Sequence, residues 1–133
     1  MLKDKNTSLS KELFLSLLKK NKIIPSKFHY DYKGSKYFEK ITKTKEYYIT
    51  RIEKNILKKI AKEIDFIFCE NLTFVEFGSG SIGKISILIN KNIKYYIPLD
   101  ISLDFIKKSS KKLLKLFPYL KIIPKYCDYI NYI

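Results

Sequence analysis

Glu76, Lys84 and Asp100 have the types and spacing to do chemistry, because they frame a Gly-x-Gly turn. The stretch reads Val75-Glu76-Phe77-Gly78-Ser79-Gly80-Ser81-Ile82-Gly83-Lys84, and Asp100 closes the next apolar run. One apolar segment, Leu72 to Phe77, enters the turn, and a second, Tyr95 to Leu99, ends on the acid. Glycines at such a turn let the backbone come close to a ligand. An acid ending the second strand can take both ribose hydroxyls of an adenosine-bearing cofactor.

Two cofactor classes fit. Gly78-Ser-Gly80-Ser-Ile-Gly83 satisfies the GxGxxG pattern of nicotinamide and flavin dinucleotide folds, a weak signal alone. Glu76 favours the other class. An acid two residues before the first glycine is typical of class I methyltransferases, where it helps shape the loop over the methionine part of S-adenosylmethionine. The acids Glu76 and Asp100 suit a ligand carrying a sulfonium and an ammonium group. Lys84 suits a dinucleotide phosphate or the carboxylate of S-adenosylmethionine.

These residues need elements to hold them. Leu72–Phe77 reads as a strand buried on both faces, Ser81–Asn90 as a helix, and Tyr95–Leu99 as a second strand. Ser102 caps a helix that Pro118 ends, and Leu120–Tyr126 is a third strand. Alternating strands and helices predict a parallel sheet with helices on both faces. Upstream, Leu9–Lys20 is a helix with Leu9, Leu13, Phe14, Leu17 and Leu18 on one face. Ser26–Gly34 is a polar-aromatic loop, and Ser35–Thr42 a short helix with Tyr37, Phe38 and Ile41 inward. Thr50 and Glu53 form a capping box starting a helix at Arg51, whose stripe of Ile52, Ile56, Leu57, Ile60 and Ile64 runs to about Phe68.

Composition bounds the function. At 133 residues the chain is one domain at most, long enough for a real core. A net charge of +14 and 15% aromatic residues invite a nucleic-acid reading. The positive charge is almost all lysine and is spread along the chain. Arg51 is the sole arginine, and nucleic-acid surfaces favour arginine. No nucleic-acid or membrane partner is therefore expected, and the polar Met1–Ser8 lacks the apolar core of a signal peptide. Cys69 and Cys127 lie in no metal-ligand spacing and read as free thiols of a reducing cytoplasm. Neither a metal nor a general acid or base is singled out. His29, the only histidine, reads as a packed or loop residue.

The flanks carry a family resemblance. Pro25-Ser-Lys-Phe-His-Tyr-Asp-Tyr-Lys-Gly-Ser35, Phe38-Glu-Lys-Ile-Thr42 and Glu46-Tyr-Tyr-Ile-Thr-Arg-Ile-Glu53 stand in order before the glycine turn. Tyr96-Ile-Pro-Leu-Asp100-Ile-Ser102 and Cys127-Asp128-Tyr129 stand in order after it. Together they resemble the histidine-specific methyltransferases of ergothioneine biosynthesis, over about residues 25–133. The resemblance implies that Gly78, Lys84, Asp100, Asp128 and Tyr129 contact S-adenosylmethionine, with Asp100 on the ribose and Asp128 on the adenine amino group. It implies that Tyr47 contacts the substrate histidine. Ile49 stands for a family proline, Gly83 for a usually polar residue and Cys127 for a glycine.

The expected fold is α/β: an incomplete class I methyltransferase (Rossmann-like) parallel sheet with an N-terminal helical extension. Residues 1–70 form that extension with a substrate-side aromatic loop. Residues 71–133 form the N-terminal half of an S-adenosylmethionine-binding domain, ending after the third strand. The expected function is that of an S-adenosylmethionine-dependent N-methyltransferase acting on a small amino acid, L-histidine, present as a fragment that is inactive alone. A separate chain supplying the C-terminal half is a candidate partner. Two alternatives stay open: a methyltransferase for another amino acid or amine, and a non-catalytic cofactor-binding remnant.

Overall fold

The structure is a computed structural model, and it describes residues 5–64 and 70–129. Three helices precede the sheet: α1 (Lys5–Leu18), α2 (Tyr32–Ile41) and α3 (Ile49–Ile64), with a 3-10 turn at Ser26–His29. Then follow β1 (Leu72–Phe77), α4 (Ile85–Leu88), β2 (Ile93–Asp100), α5 (Leu103–Leu116), β3 (Lys121–Ile122) and β4 (Lys125–Tyr126). The expected end of the α3 stripe at Phe68, and the thiol of Cys69, lie outside the described residues. Cys127 is a free thiol. No helix among the described residues is long and apolar enough to cross a membrane.

All strand pairings are parallel, with β1 beside β2 and β2 beside β3 and β4. The third strand expected at Leu120–Tyr126 is thus two short pieces on the same side of β2. Pro124 lies at the break and has no N–H for the ladder. The sheet still holds there, because Ile123 donates to the Tyr96 carbonyl at 2.9 Å and Cys127 to that of Asp100 at 3.1 Å.

The core lies on one face of this sheet. Ile85 and Ile89 of the α4 region, Leu113 of α5, and Ile93, Tyr96 and Leu120 form a single buried cluster, with Leu72 and Phe74 packed against it. Strands laid down in the order 1-2-3 by right-handed crossovers send both connecting helices to the same side. This corrects the expectation of helices on both faces. It also corrects the reading of β1 as buried on both faces. Its residues alternate, with Leu72, Phe74 and Glu76 half-buried and Thr73, Val75 and Phe77 exposed.

Upstream, α2 starts three residues earlier than expected. Asp31 caps it, its side chain accepting the Gly34 N–H at 2.7 Å. Glycine is needed at 34, since a Cβ there would lie 1.7 Å from the His29 carbonyl oxygen. Tyr37, Phe38 and Ile41 are not buried as expected; all three are exposed, as are Phe14, Leu17 and Leu18 of α1. The α3 stripe likewise leaves Ile52, Ile56 and Ile60 exposed. Periodicity placed these residues on common faces without indicating which faces would be covered. The segment after the glycine turn stays irregular to Lys84, so α4 is a single turn rather than a helix from Ser81 to Asn90.

Candidate functional site

The strands β1 and β2 end level, with Phe77 opposite Leu99. Past that point the Gly78 and Ser79 N–H groups both donate to the Leu99 carbonyl, at 2.9 and 3.3 Å. The turn is thereby hooked over the carboxyl end of β2. Gly78 and Gly80 both take left-handed backbone conformations, with φ of +65° and +52°, which glycine adopts without a steric penalty. The crevice outside the carboxyl ends of parallel strands is where open α/β sheets bind ligands.

A cavity of about 600 Å³ opens there, in the size range of cofactor sites. Its floor is the turn from Gly78 to Lys84, with Asp100, Asp128 and Tyr129. Its other walls come from Lys27, from Phe38 of α2, from Tyr47, and from Glu53 of α3. All six residues carried over from the resemblance, Gly78, Lys84, Asp100, Asp128, Tyr129 and Tyr47, line this one cavity. They come from four separate segments of the chain.

Asp100 is held by two main-chain donors. Its Oδ2 accepts the Gly80 N–H at 3.1 Å and its Oδ1 accepts the Ser102 N–H at 2.8 Å. The carboxylate therefore ties the glycine turn to the start of α5 while facing the cavity. Ser102 stands at the N-cap of α5 without a side-chain cap hydrogen bond, and its backbone N–H donates to Asp100 Oδ1. Asp128 is buried, and its Oδ2 accepts from Lys27 Nζ at 2.6 Å. The Tyr129 ring stands edge-on to Phe77, with centroids 5.7 Å apart, and its hydroxyl lies close under Gly78.

Lys84 lies just before α4 rather than in its first turn, and its Nζ donates to Glu53 Oε1 at 3.2 Å. This overturns the capping box. Glu53 does not cap α3; the helix starts earlier, with the Tyr48 carbonyl accepting from Arg51 and Ile52 at 3.0 and 3.1 Å. Glu53 instead joins α3 to the glycine turn. Lys27 and Glu53 are the site residues that sequence reasoning did not assign. Both stand inside quoted motifs, but only the fold shows which charges they meet.

Tyr47 is half-buried, its ring edge-on to Phe38 at 5.8 Å, and Phe38 is edge-on to Tyr30 at 5.7 Å. Arg51 anchors the loop that carries Tyr47. Its Nη1 and Nη2 donate to the carbonyls of Thr44 and Lys45, at 2.9 and 2.6 Å. A planar fork reaches two adjacent carbonyls, whereas an ammonium is a point donor. Arg51→Lys is therefore expected to raise hydrogen exchange across Thr44–Tyr47 while shifting global stability by only about 0.5 kcal/mol, as an exposed polar change. Unchanged exchange in that segment would remove Arg51 as its anchor. His29 is exposed and does not line the cavity.

Glu76 also lies off the cavity wall. Its Oε2 accepts the Tyr96 hydroxyl at 2.5 Å beneath the turn. Burial raises its pKa, an effect that the Tyr96 hydrogen bond and the charge of Lys84 only partly offset. Burial beside that carboxylate also raises the pKa of Tyr96, which keeps the phenol a donor. Because the folded state binds this proton more tightly than the unfolded chain, the stability Glu76 contributes is complete below its unfolded pKa. It is lost as pH rises through the folded value. Glu76→Gln, which keeps an acceptor for Tyr96, is expected to melt above the parent at pH 8 and to lose that advantage at pH 4. A constant offset between the two melting curves would remove Glu76 as the titrating group.

A parallel sheet with helices on one face and a glycine turn hooked over its carboxyl end is a partial Rossmann-like fold. Comparison with known proteins is more specific. Residues 9–133 match the family described as histidine-specific methyltransferase, SAM-dependent, and the chain belongs to that family. It is 33% identical over 99 residues to the histidine N-alpha-methyltransferase of Mycobacterium tuberculosis, covering 71% of this chain and 30% of that protein. The Mycolicibacterium smegmatis protein of the same name is 29% identical over 120 residues, covering 86% of this chain and 37% of that protein. An Aspergillus flavus protein named N-methyltransferase dtpB is 31% identical over 98 residues, 69% of this chain and 27% of its own length. The matched segment thus spans about a third of the length of each of these three relatives.

Proposed function

We propose that this chain binds S-adenosylmethionine and forms the cofactor side of an Nα-methyltransferase acting on L-histidine. The observation that carries the reading is the convergence of all six motif residues on one cavity at the carboxyl ends of β1 and β2. The donor set suits this cofactor. Asp100 presents a carboxylate to a ribose, Asp128 one to an adenine amino group, and the open backbone at Gly80 admits close approach, with nothing within 4 Å of where its Cβ would stand. Lys84 would meet the cofactor's carboxylate and, in doing so, share its charge with Glu53.

S-adenosylmethionine held in this cavity would supply an activated methyl group for transfer to the deprotonated α-amine of histidine. The residues of this chain position the reactants. Asp100 and the glycine turn fix the nucleoside end, and Tyr47, on the loop pinned by Arg51, bounds the amino-acid side. Orientation of this kind supplies a large share of the rate in a two-substrate displacement.

The reading divides residues 1–70, which bring Tyr47, from residues 71–133, which bring the cofactor cradle. Ligand-observed NMR tests it, since that method reads dissociation constants into the millimolar range. S-adenosylhomocysteine is expected to bind the chain and NAD is not; the reverse order returns the site to the dinucleotide class. Methyl transfer to histidine is then measured by mass spectrometry with and without the remaining two-thirds of a relative such as the M. tuberculosis enzyme added in trans. Turnover is expected only with it. Acceptance of other amines in place of histidine would favour the broader N-methyltransferase reading, for which the likeness to dtpB speaks.

A further inference from the structure

Lys27 sits between two carboxylates, and only one of them belongs to the cavity. Its Nζ lies 2.6 Å from Asp128 Oδ2 and 2.6 Å from Glu12 Oε2 of α1. The Lys27 and Asp128 side chains each keep only 11% of their surface, whereas Glu12 keeps 39%. Burial alone would lower the Lys27 pKa, but hydrogen bonds to Asp128 and Glu12 outweigh it and the pKa is raised. The cavity wall therefore holds a charged lysine with a donor on the Asp128 carboxylate and a second acid behind it.

We infer that Lys27 is a positioning residue for the base of the nucleoside ligand: it fixes the rotation of the Asp128 carboxylate, and Glu12 of α1 holds Lys27 in place. The inference deepens the proposed cofactor reading and rests on it. Its physical basis is that a nearly sealed carboxylate needs its charge answered, and that the direction of its oxygens decides which edge of a base it can accept. A lysine held at two short bonds has little freedom to let that carboxylate turn. The bridge also joins α1 to the site, so nucleoside binding and the docking of α1 favour each other reciprocally.

A double-mutant cycle on the chain tests this, with S-adenosylhomocysteine as the probe and the hypoxanthine analogue, S-inosylhomocysteine, as its comparison. Lys27→Met and Asp128→Asn are each expected to weaken S-adenosylhomocysteine by about tenfold or more and to erase the preference for adenine over hypoxanthine. In the Asp128→Asn background, Lys27→Met is expected to cost almost nothing more, because Lys27 acts through Asp128. Glu12→Gln, at a more exposed position, supplies a milder version. It is expected to cost about two- to fivefold in the parent and nothing in the Asp128→Asn background. It keeps the test decisive if Lys27→Met does not fold.

Equal losses in both backgrounds, or a Lys27→Met chain with parental affinity and base preference, would overturn the inference. If the parent binds neither analogue, the cofactor reading fails first and the inference falls with it. A parent that binds S-adenosylhomocysteine while its variants show additive losses leaves the cofactor reading standing and rejects the role of Lys27 alone.

Discussion

Replacing Asp100 with alanine is expected to cost about a hundredfold in affinity for S-adenosylhomocysteine and about 2 kcal/mol in stability at once. The two losses share one cause. The carboxylate accepts the N–H of Gly80 and the N–H of Ser102. Hydrogen bonds to a charged group contribute about 1.5–3 kcal/mol each when buried and less where water competes. Without them the glycine turn is no longer fastened to the start of α5, and the ribose loses its acceptor. A loss of about 2.8 kcal/mol in binding corresponds to the hundredfold. Asp100→Asn separates the roles, because the amide keeps one acceptor oxygen and turns a donor toward the other N–H. It is expected to fall between parent and alanine on both scales, measured by chemical denaturation and by ligand-observed NMR. Parental affinity in the alanine variant would remove Asp100 from the binding site.

Gly78→Ala is the second large effect. The backbone there has φ of +65°, which costs a residue with a Cβ about 1–2 kcal/mol. The added Cβ would also lie 2.9 Å from the Tyr129 hydroxyl, closer than such contacts allow. Tyr129 must then move off the cavity floor, and its edge-on contact with Phe77 moves with it. The expected result is a loss of about 2–3 kcal/mol in stability and at least about tenfold in affinity. Gly80→Ala is the control, since its φ is similarly positive but its Cβ would meet nothing within 4 Å. It should show the backbone strain with little effect on Tyr129. Equal stability losses at both positions would mean that strain, not the collision with Tyr129, governs the turn; affinity is compared only for Gly78→Ala, because a Cβ at Gly80 would itself enter the cavity.

Most of what positions the cradle was legible in the sequence, for a local reason. A strand entering Gly-x-Gly and a second strand ending on an acid are contiguous patterns, and parallel pairing of β1 with β2 follows from the helix between them. What was not legible is long-range. The exposure of Val75 and Phe77 depends on both crossovers falling on one side of the sheet, which no period reveals. Glu53 follows Thr50 at the spacing of a capping box, yet it faces a lysine 31 positions on. The Lys27 bridge joins residues 101 positions apart. Such pairings appear only once the chain is folded. Arg51 is an intermediate case: the sequence marks it as the sole arginine, and only the fold supplies the two carbonyls that its fork reaches.

The hydrogen bond from the Cys127 N–H to the Asp100 carbonyl has a consequence for how the pocket measures its guest. It joins neighbouring strands where Asp100 pairs in register with Tyr126, and so it sets Asp128 at a fixed span from Asp100. On the proposed reading, the two acids are the jaws of a caliper laid across a nucleoside, one on the sugar and one on the base. The gap is a main-chain dimension. Side-chain changes can blunt either jaw, but only a slip of β4 along β2 resets the scale. The bond uses backbone atoms alone, so it is made as well by the cysteine found here as by the glycine of the family pattern.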